Sequence, residues 1–299
     1  MSTNTNKKRV LVIQPLHAAG MAMLEQRDDI EIIQCDSLDE DVIAEAAKDV
    51  HAMTVRAAKI TKRIMDAAPD LMVVSRHGVG YDAVDLNTLT QRNIPLCIAV
   101  HSNMISVAEQ AMALLLGLAK DMFYYDDVTR RDGWPNRWPT RAVDIDGKKI
   151  LIVGFGRIGS KVAKRALGFD MLRYGYDPYI DLKIMTDAGV EPVSNYNSVL
   201  GDMDAVAIHC MKTTETTNMF STEQFQKMKS DAFLVNCARG GIVDEDALHS
   251  ALTSGEIRAA GLDVLLDEPS SAEHPLFKLK NQNGDEIKLP TKEDTVIYF

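Results

Sequence analysis

The sequence predicts an α/β protein built from two doubly wound parallel-sheet domains. Short apolar runs of strand length alternate with helical stretches along both halves of the chain, the rhythm of βαβ units. A G-x-G-x-x-G motif, formed by Gly154, Gly156 and Gly159, closes one such run and opens a helical pattern. The 299 residues, 46% hydrophobic and 25% charged, suffice for two domains with full cores.

In the first half the strand-like runs are Val10 to Ile13, Ile30 to Ile33, Ala52 to Val55, Leu71 to Ser75 and Pro95 to Ala99. Helical stretches Leu38 to Ala47, Lys62 to Ala67 and Leu86 to Arg92 lie between them, so helices are expected on both faces of a parallel sheet. Ser102 to about Phe123 reads as one long helix. Its apolar residues, among them Val107, Ala111, Leu114 and Leu118, cover too broad a face for a half-exposed helix, which predicts burial between domains or at a dimer interface. The segment Arg130 to Arg141, with Trp134, Pro135, Trp138 and Pro139, reads as an ordered arm or loop. Strand Ile150 to Val153, helix Ser160 to Leu167 and strand Met171 to Tyr176 follow, and the rhythm continues through Ala205 to Ile208, Ala232 to Asn236 and Ala259 to Leu262. The last five residues, Thr295 to Phe299, look like a strand. The expected boundaries are a substrate domain over 1–102, a dinucleotide-binding domain over 103–290 and an atypical tail over 291–299.

The glycine motif carries the chemistry. Gly154 permits a tight turn, Gly156 lets backbone amides approach a pyrophosphate, and Gly159 lets the following helix pack close to the strand. The helix N-terminus supplies partial positive charge to the phosphates. Asp177 ends the second strand about 20 residues further on, where an acid accepts hydrogen bonds from the adenosine ribose and repels a 2′-phosphate. The expected cofactor is NAD, not NADP.

A net charge of −10 with no basic stripe argues against nucleic acid or an anionic membrane as partner. Cys35, Cys97, Cys210 and Cys237 are scattered without a C-x-x-C pair, so neither a metal site nor a disulfide framework is expected and a reducing cytoplasm fits. The polar, basic start, Met1 to Arg9, has no apolar run after it of the kind a leader carries.

Five motifs occur in order: Val79-Gly80-Tyr81-Asp82-Ala83-Val84-Asp85; Asn103 with Ser106 to Glu109; Gly154 to Gly159; Asn236-Cys237-Ala238-Arg239-Gly240-Gly241; and Leu262-Asp263-Val264 with Asp267-Glu268-Pro269. Together they resemble the D-isomer-specific 2-hydroxyacid dehydrogenases, and within them the branch that oxidises D-3-phosphoglycerate. The resemblance implies a flavodoxin-like substrate domain, a Rossmann NAD-binding domain, and hydride exchange between a small 2-hydroxy acid and the nicotinamide. It implies that Arg239 grips the substrate's carboxylate and oxo oxygens together, which a planar guanidinium can do. Glu268 holds the catalytic histidine and raises its pKa. Arg157 and Ile158 sit at the pyrophosphate, Cys237 and Ala238 beside the nicotinamide, and Asp263 at the carboxamide. Cys210 passes the cofactor, although Met211 stands where the family has proline. Backbone amides of Val79 and Gly80 meet the substrate carboxylate with Arg56 and Asn103, and Val79 also nears the nicotinamide. A homodimer is implied too. Hydroxypyruvate or glyoxylate reduction is the near alternative, and a non-catalytic NAD-binding redox sensor is the alternative from another class.

One departure stands out. The family's catalytic histidine lies in a Pro-His pair after the next strand, and these 299 residues contain no such pair. His274 precedes Pro275 and is read as structural, as are His17, His51, His77, His101, His209 and His249. Either an insertion follows Asn281 and the chain stops where the histidine is due, or the reading frame changes near Asn281. In both cases the return helices of the substrate domain are expected to be absent, and this chain to be inactive as written.

Overall fold

The computed structural model describes residues 7–134, 142–279 and 296–298. The chain divides into two compact units, Met1–Asn103 and Met104–Phe299. In the first, β1 (Lys8–Ile13), β2 (Ile30–Cys35), β3 (Ala52–Val55), β4 (Val73–Arg76) and β5 (Leu96–Ile98) form a parallel sheet in the order β2-β1-β3-β4-β5, the flavodoxin-like order. Helices α1 (Ala18–Glu25), α2 (Glu40–Ala46), α3 (Lys62–Asp66) and α4 (Leu86–Gln91) make the crossovers. Asp39, Thr61 and Asp85 cap the last three by accepting first-turn amides, which satisfies donors that the helix itself cannot. Leu11, Ile13, Ile43, Met53, Ile64 and Val74 are fully buried in its core.

The second unit opens with α5 (Met104–Lys120) and α6 (Met122–Asp132). Its sheet comprises β6 (Lys149–Val153), β7 (Leu172–Tyr176), β8 (Glu191–Pro192), β9 (Ala205–Ile208), β10 (Phe233–Asn236), β11 (Ala259–Leu262) and β12 (Val296–Tyr298). All pairs are parallel, in the order β12-β11-β10-β9-β6-β7-β8. That is the Rossmann order extended by one strand, with the direction of winding reversing between β6 and β9. Every residue of β9, β10 and β11 is buried, which is why they read as unbroken apolar runs. Helices α7 (Gly159–Leu167), α8 (Leu182–Asp187), α9 (Thr222–Lys227) and α10 (Glu245–Ser254) connect the strands.

Three expectations need correction. The long helix is two: Asp121, buried at 2% exposure, adopts φ 48° between α5 and α6 and stands 3.7 Å from the Arg258 guanidinium. Aspartate is among the few residues besides glycine that enter the left-handed region; here its side chain makes no capping hydrogen bond to α6. The broad apolar face of α5 is covered by the sheet of its own unit: Ala108, Ala111, Leu114, Leu115 and Leu118 join one core with Ile150, Val235 and Ala259. No partner is needed to explain it. Of the supposed arm, Arg130 to Asp132 is the last turn of α6, and 135–141 lies outside the described residues. The strand-like end appears as β12, paired with β11 from Ala259↔Val296 to Gly261↔Tyr298.

Candidate functional site

In the second unit the carboxyl ends of β6, β10 and β11 carry three of the motifs, and those of β7 and β9 carry Asp177 and Cys210. After β6, Gly154 takes φ +91°, and a Cβ there would lie 2.5 Å from the Cys210 backbone nitrogen. A Cβ on Gly159 would lie 2.0 Å from the Gly154 carbonyl oxygen. Both positions therefore require glycine. At Gly156 a Cβ would meet nothing within 4 Å, so the turn is open on the side from which a phosphate can approach. Arg157 is exposed and Ile158 half-buried. Asp177, after β7, accepts the Phe155 amide on Oδ2 at 2.9 Å and the Tyr179 amide on Oδ1 at 3.0 Å. Its carboxylate is thus fixed against the glycine turn, with lone pairs left for ribose hydroxyls.

After β9, both ring nitrogens of His209 are buried without a partner among the described residues. This corrects the expectation of a satisfied structural histidine, and burial depresses its pKa to about 4. Burial likewise raises the Cys210 thiol to about 11 and the Cys237 thiol to about 12, with a smaller push from Asp177 and Asp263 respectively. Both are neutral walls at pH 7. An open glycine turn, an anchored acid and an unpartnered polar ring at the crevice fit a dinucleotide.

The loop after β10 is built by Asn236, a role the sequence did not reveal. Asn236 is buried; its Oδ1 accepts the Ala238 amide at 3.0 Å and its Nδ2 donates to the Arg239 carbonyl at 3.1 Å. The half-buried Arg239 donates from Nη1 to the Ala238 carbonyl at 2.7 Å. A Cβ at Gly240 would lie 1.9 Å from the Leu265 carbonyl oxygen, so the Arg239 loop and the loop after β11 touch backbone to backbone. On that second loop Glu268 Oε1 accepts the Leu265 amide at 2.9 Å. Burial, and then the charge of Glu268, raise the Asp263 carboxyl above its usual range. Among the described residues no histidine is hydrogen-bonded to Glu268. His274 instead contacts Glu245 Oε2 at 3.0 Å through Nε2 and accepts the Leu276 amide on Nδ1 at 3.3 Å, an assignment that puts its proton on Nε2.

In the first unit Arg56 is exposed after β3, Val79 and Gly80 are half-buried after β4, and Asn103 Oδ1 is buried without a partner among the described residues. Two further residues shape these loops. Gln14, at φ 67°, accepts the Ala57 and Ala58 amides at 2.6 and 3.1 Å and so fixes the segment after Arg56. The Arg76 guanidinium lies on Gly78 and donates to the His77 carbonyl at 2.6 Å. Neither role was legible in the sequence.

Two sheets of these strand orders, one with an acid-anchored glycine turn, define a dinucleotide-dependent α/β protein. Residues 112–283 match the family described as D-isomer specific 2-hydroxyacid dehydrogenase, NAD binding domain. The chain belongs to this family and carries its NAD-binding domain. It is similar to D-3-phosphoglycerate dehydrogenase of Methanocaldococcus jannaschii, 36% identical over 92% of this chain and 52% of that protein. It also resembles glyoxylate reductase of Korarchaeum cryptofilum, 34% identical over 92% and 84%. Among solved structures, the NAD-dependent formate dehydrogenase of Staphylococcus aureus in complex with NAD aligns with a TM-score of 0.81 at 29% identity, over 91% of this chain and 86% of that one. The chain spans about half the length of the phosphoglycerate dehydrogenases it matches. Among the described residues no helix is long and apolar enough to cross a membrane.

Proposed function

We propose that the chain serves NAD-dependent interconversion of a D-2-hydroxy acid and its 2-oxo acid, with D-3-phosphoglycerate as favoured substrate and hydroxypyruvate or glyoxylate as the alternative. The observation that carries this reading is the Asn236-built loop: it presents Arg239 beside the Cys237–Ala238 wall, one strand away from the crevice where the winding reverses. NAD, when bound, supplies the hydride acceptor. Asp177 and the glycine turn hold its adenosine and pyrophosphate, while Cys237, Ala238 and Asp263 border the nicotinamide. Arg239 binds the carboxylate and polarises the carbonyl oxygen, stabilising the negative charge that grows there when hydride is delivered to the oxo acid. Glu268 orients the group that exchanges the hydroxyl proton. Arg56, Val79, Gly80 and Asn103, in the first unit, are the further residues proposed for substrate binding. The working form in this reading is a cytoplasmic homodimer.

The absence, among the described residues, of a histidine bonded to Glu268 favours the second reading, a non-catalytic NAD-binding sensor. Steady-state assays on D-3-phosphoglycerate, hydroxypyruvate and glyoxylate, run on the chain and on a version extended by a relative's terminal segment that carries the Pro-His pair, separate the two. Catalysis predicts turnover that falls about 100-fold or more in Arg239→Lys, since charge remains while bidentate geometry is lost, with NADH affinity within about threefold of wild type. NADH binding without turnover on any of the three acids, in the extended version as well as in the chain, would leave the sensor.

A further inference from the structure

Two loops flank the glycine turn, because β6 lies between β7 and β9 in the sheet. A side-chain hydrogen bond joins these outer loops: Tyr179, after β7, donates its hydroxyl to Glu215 Oε2, after β9, at 2.5 Å. The Tyr179 amide is fixed on Asp177, whose other oxygen takes the Phe155 amide. Asp177, Tyr179 and Glu215 therefore form one chain of bonds that runs from the glycine turn to the β9 loop. Among the described residues no lysine or arginine pairs with either Asp177 or Glu215. The hydrogen bond to Glu215, and then its charge, push the Tyr179 phenol above its usual pKa, so tyrosine stays the donor.

We infer that Glu215, held by Tyr179, is a second determinant of cofactor choice, adding its carboxylate to that of Asp177 against an adenosine 2′-phosphate. The inference rests on the reading that Asp177 faces the adenosine ribose. A 2′-phosphate placed beside Asp177 would bring its charge to the end of the chain of bonds that leads through Tyr179 to Glu215, whereas a ribose hydroxyl would meet an acceptor there. Because the site is open to solvent, the added repulsion is modest and sensitive to salt.

The test uses Glu215→Gln, which keeps an acceptor for Tyr179 and removes only the charge. NADH and NADPH are titrated by fluorescence against the full chain and the variant. NADPH affinity should rise about three- to tenfold in the variant with NADH affinity within about twofold, and the difference should shrink near 1 M salt, where the screening length is about 3 Å. A wild type that binds both cofactors equally removes the Asp177 reading and this inference with it. A wild type that prefers NADH, with the same ratio in Glu215→Gln, overturns the inference alone. An equal loss of both cofactors also overturns it, by making the contact purely structural.

Discussion

At the residue scale, His209 ties stability to pH. Its imidazole is buried without a partner among the described residues, and its pKa is about 4, against about 6.5 for an exposed imidazole. Between these values the unfolded chain binds the proton that the folded chain refuses, so the contribution is complete above about pH 6.5 and is lost as pH falls toward 4. The loss is at most about 3.4 kcal/mol. Urea melts from about pH 8 down to about pH 4 should therefore show a shallower acid decline in His209→Gln, by about 1–3 kcal/mol at the acid end. Parallel curves would place the acid sensitivity at other groups.

At the element scale, the contact that matters most joins the loops after β10 and β11. Gly240 has no room for a methyl group, since its Cβ would fall 1.9 Å from a backbone oxygen. Neither loop can yield without moving Asn236, which is buried, or Asp263, whose amide donates to the Asn236 carbonyl at 3.0 Å. Gly240→Ala is expected to cost about 2–3 kcal/mol, as overpacking commonly does, and, in a version extended by a relative's terminal segment with the Pro-His pair, to lower turnover more than NADH affinity, because Arg239 and Glu268 shift while the glycine turn after β6 does not. Thermal melts and paired kinetic and binding measurements check this; an unchanged variant would mean that the loops part freely. The same scale explains the misread helix. Periodicity found the apolar face of α5, but neither the left-handed Asp121 nor the sheet that covers the face is visible in one-dimensional spacing.

For the whole molecule, each unit has its own sheet and core, so ligand binding should be felt unequally. NADH at about 100 times its dissociation constant should stabilise the Met104–Phe299 unit by about 2.7 kcal/mol. Hydrogen exchange should show new protection in β6, β9 and the glycine turn, with the interior of β1 and β3 little changed. Equal protection of both sheets would show that the cofactor stabilises the chain as one cooperative block.

The strand and helix rhythm, the glycine turn and Asp177 were legible in the sequence because each is a local requirement. Buried parallel strands must be apolar along their whole length, a tight turn packed against the following helix needs glycines at fixed offsets, and the acid proposed for the ribose is found at the end of the next strand by counting from them. The terminal strand was legible for the same reason. Tertiary structure alone decided the rest. That Asn236 builds the Arg239 loop, that Gln14 fixes the segment after Arg56, that His209 is left without a partner, and that Tyr179 reaches Glu215 all depend on which strand ends become neighbours. That is a property of the sheet order, since polar side chains are satisfied by whatever the fold brings within about 3 Å of them, and nothing in their spacing along the chain records it.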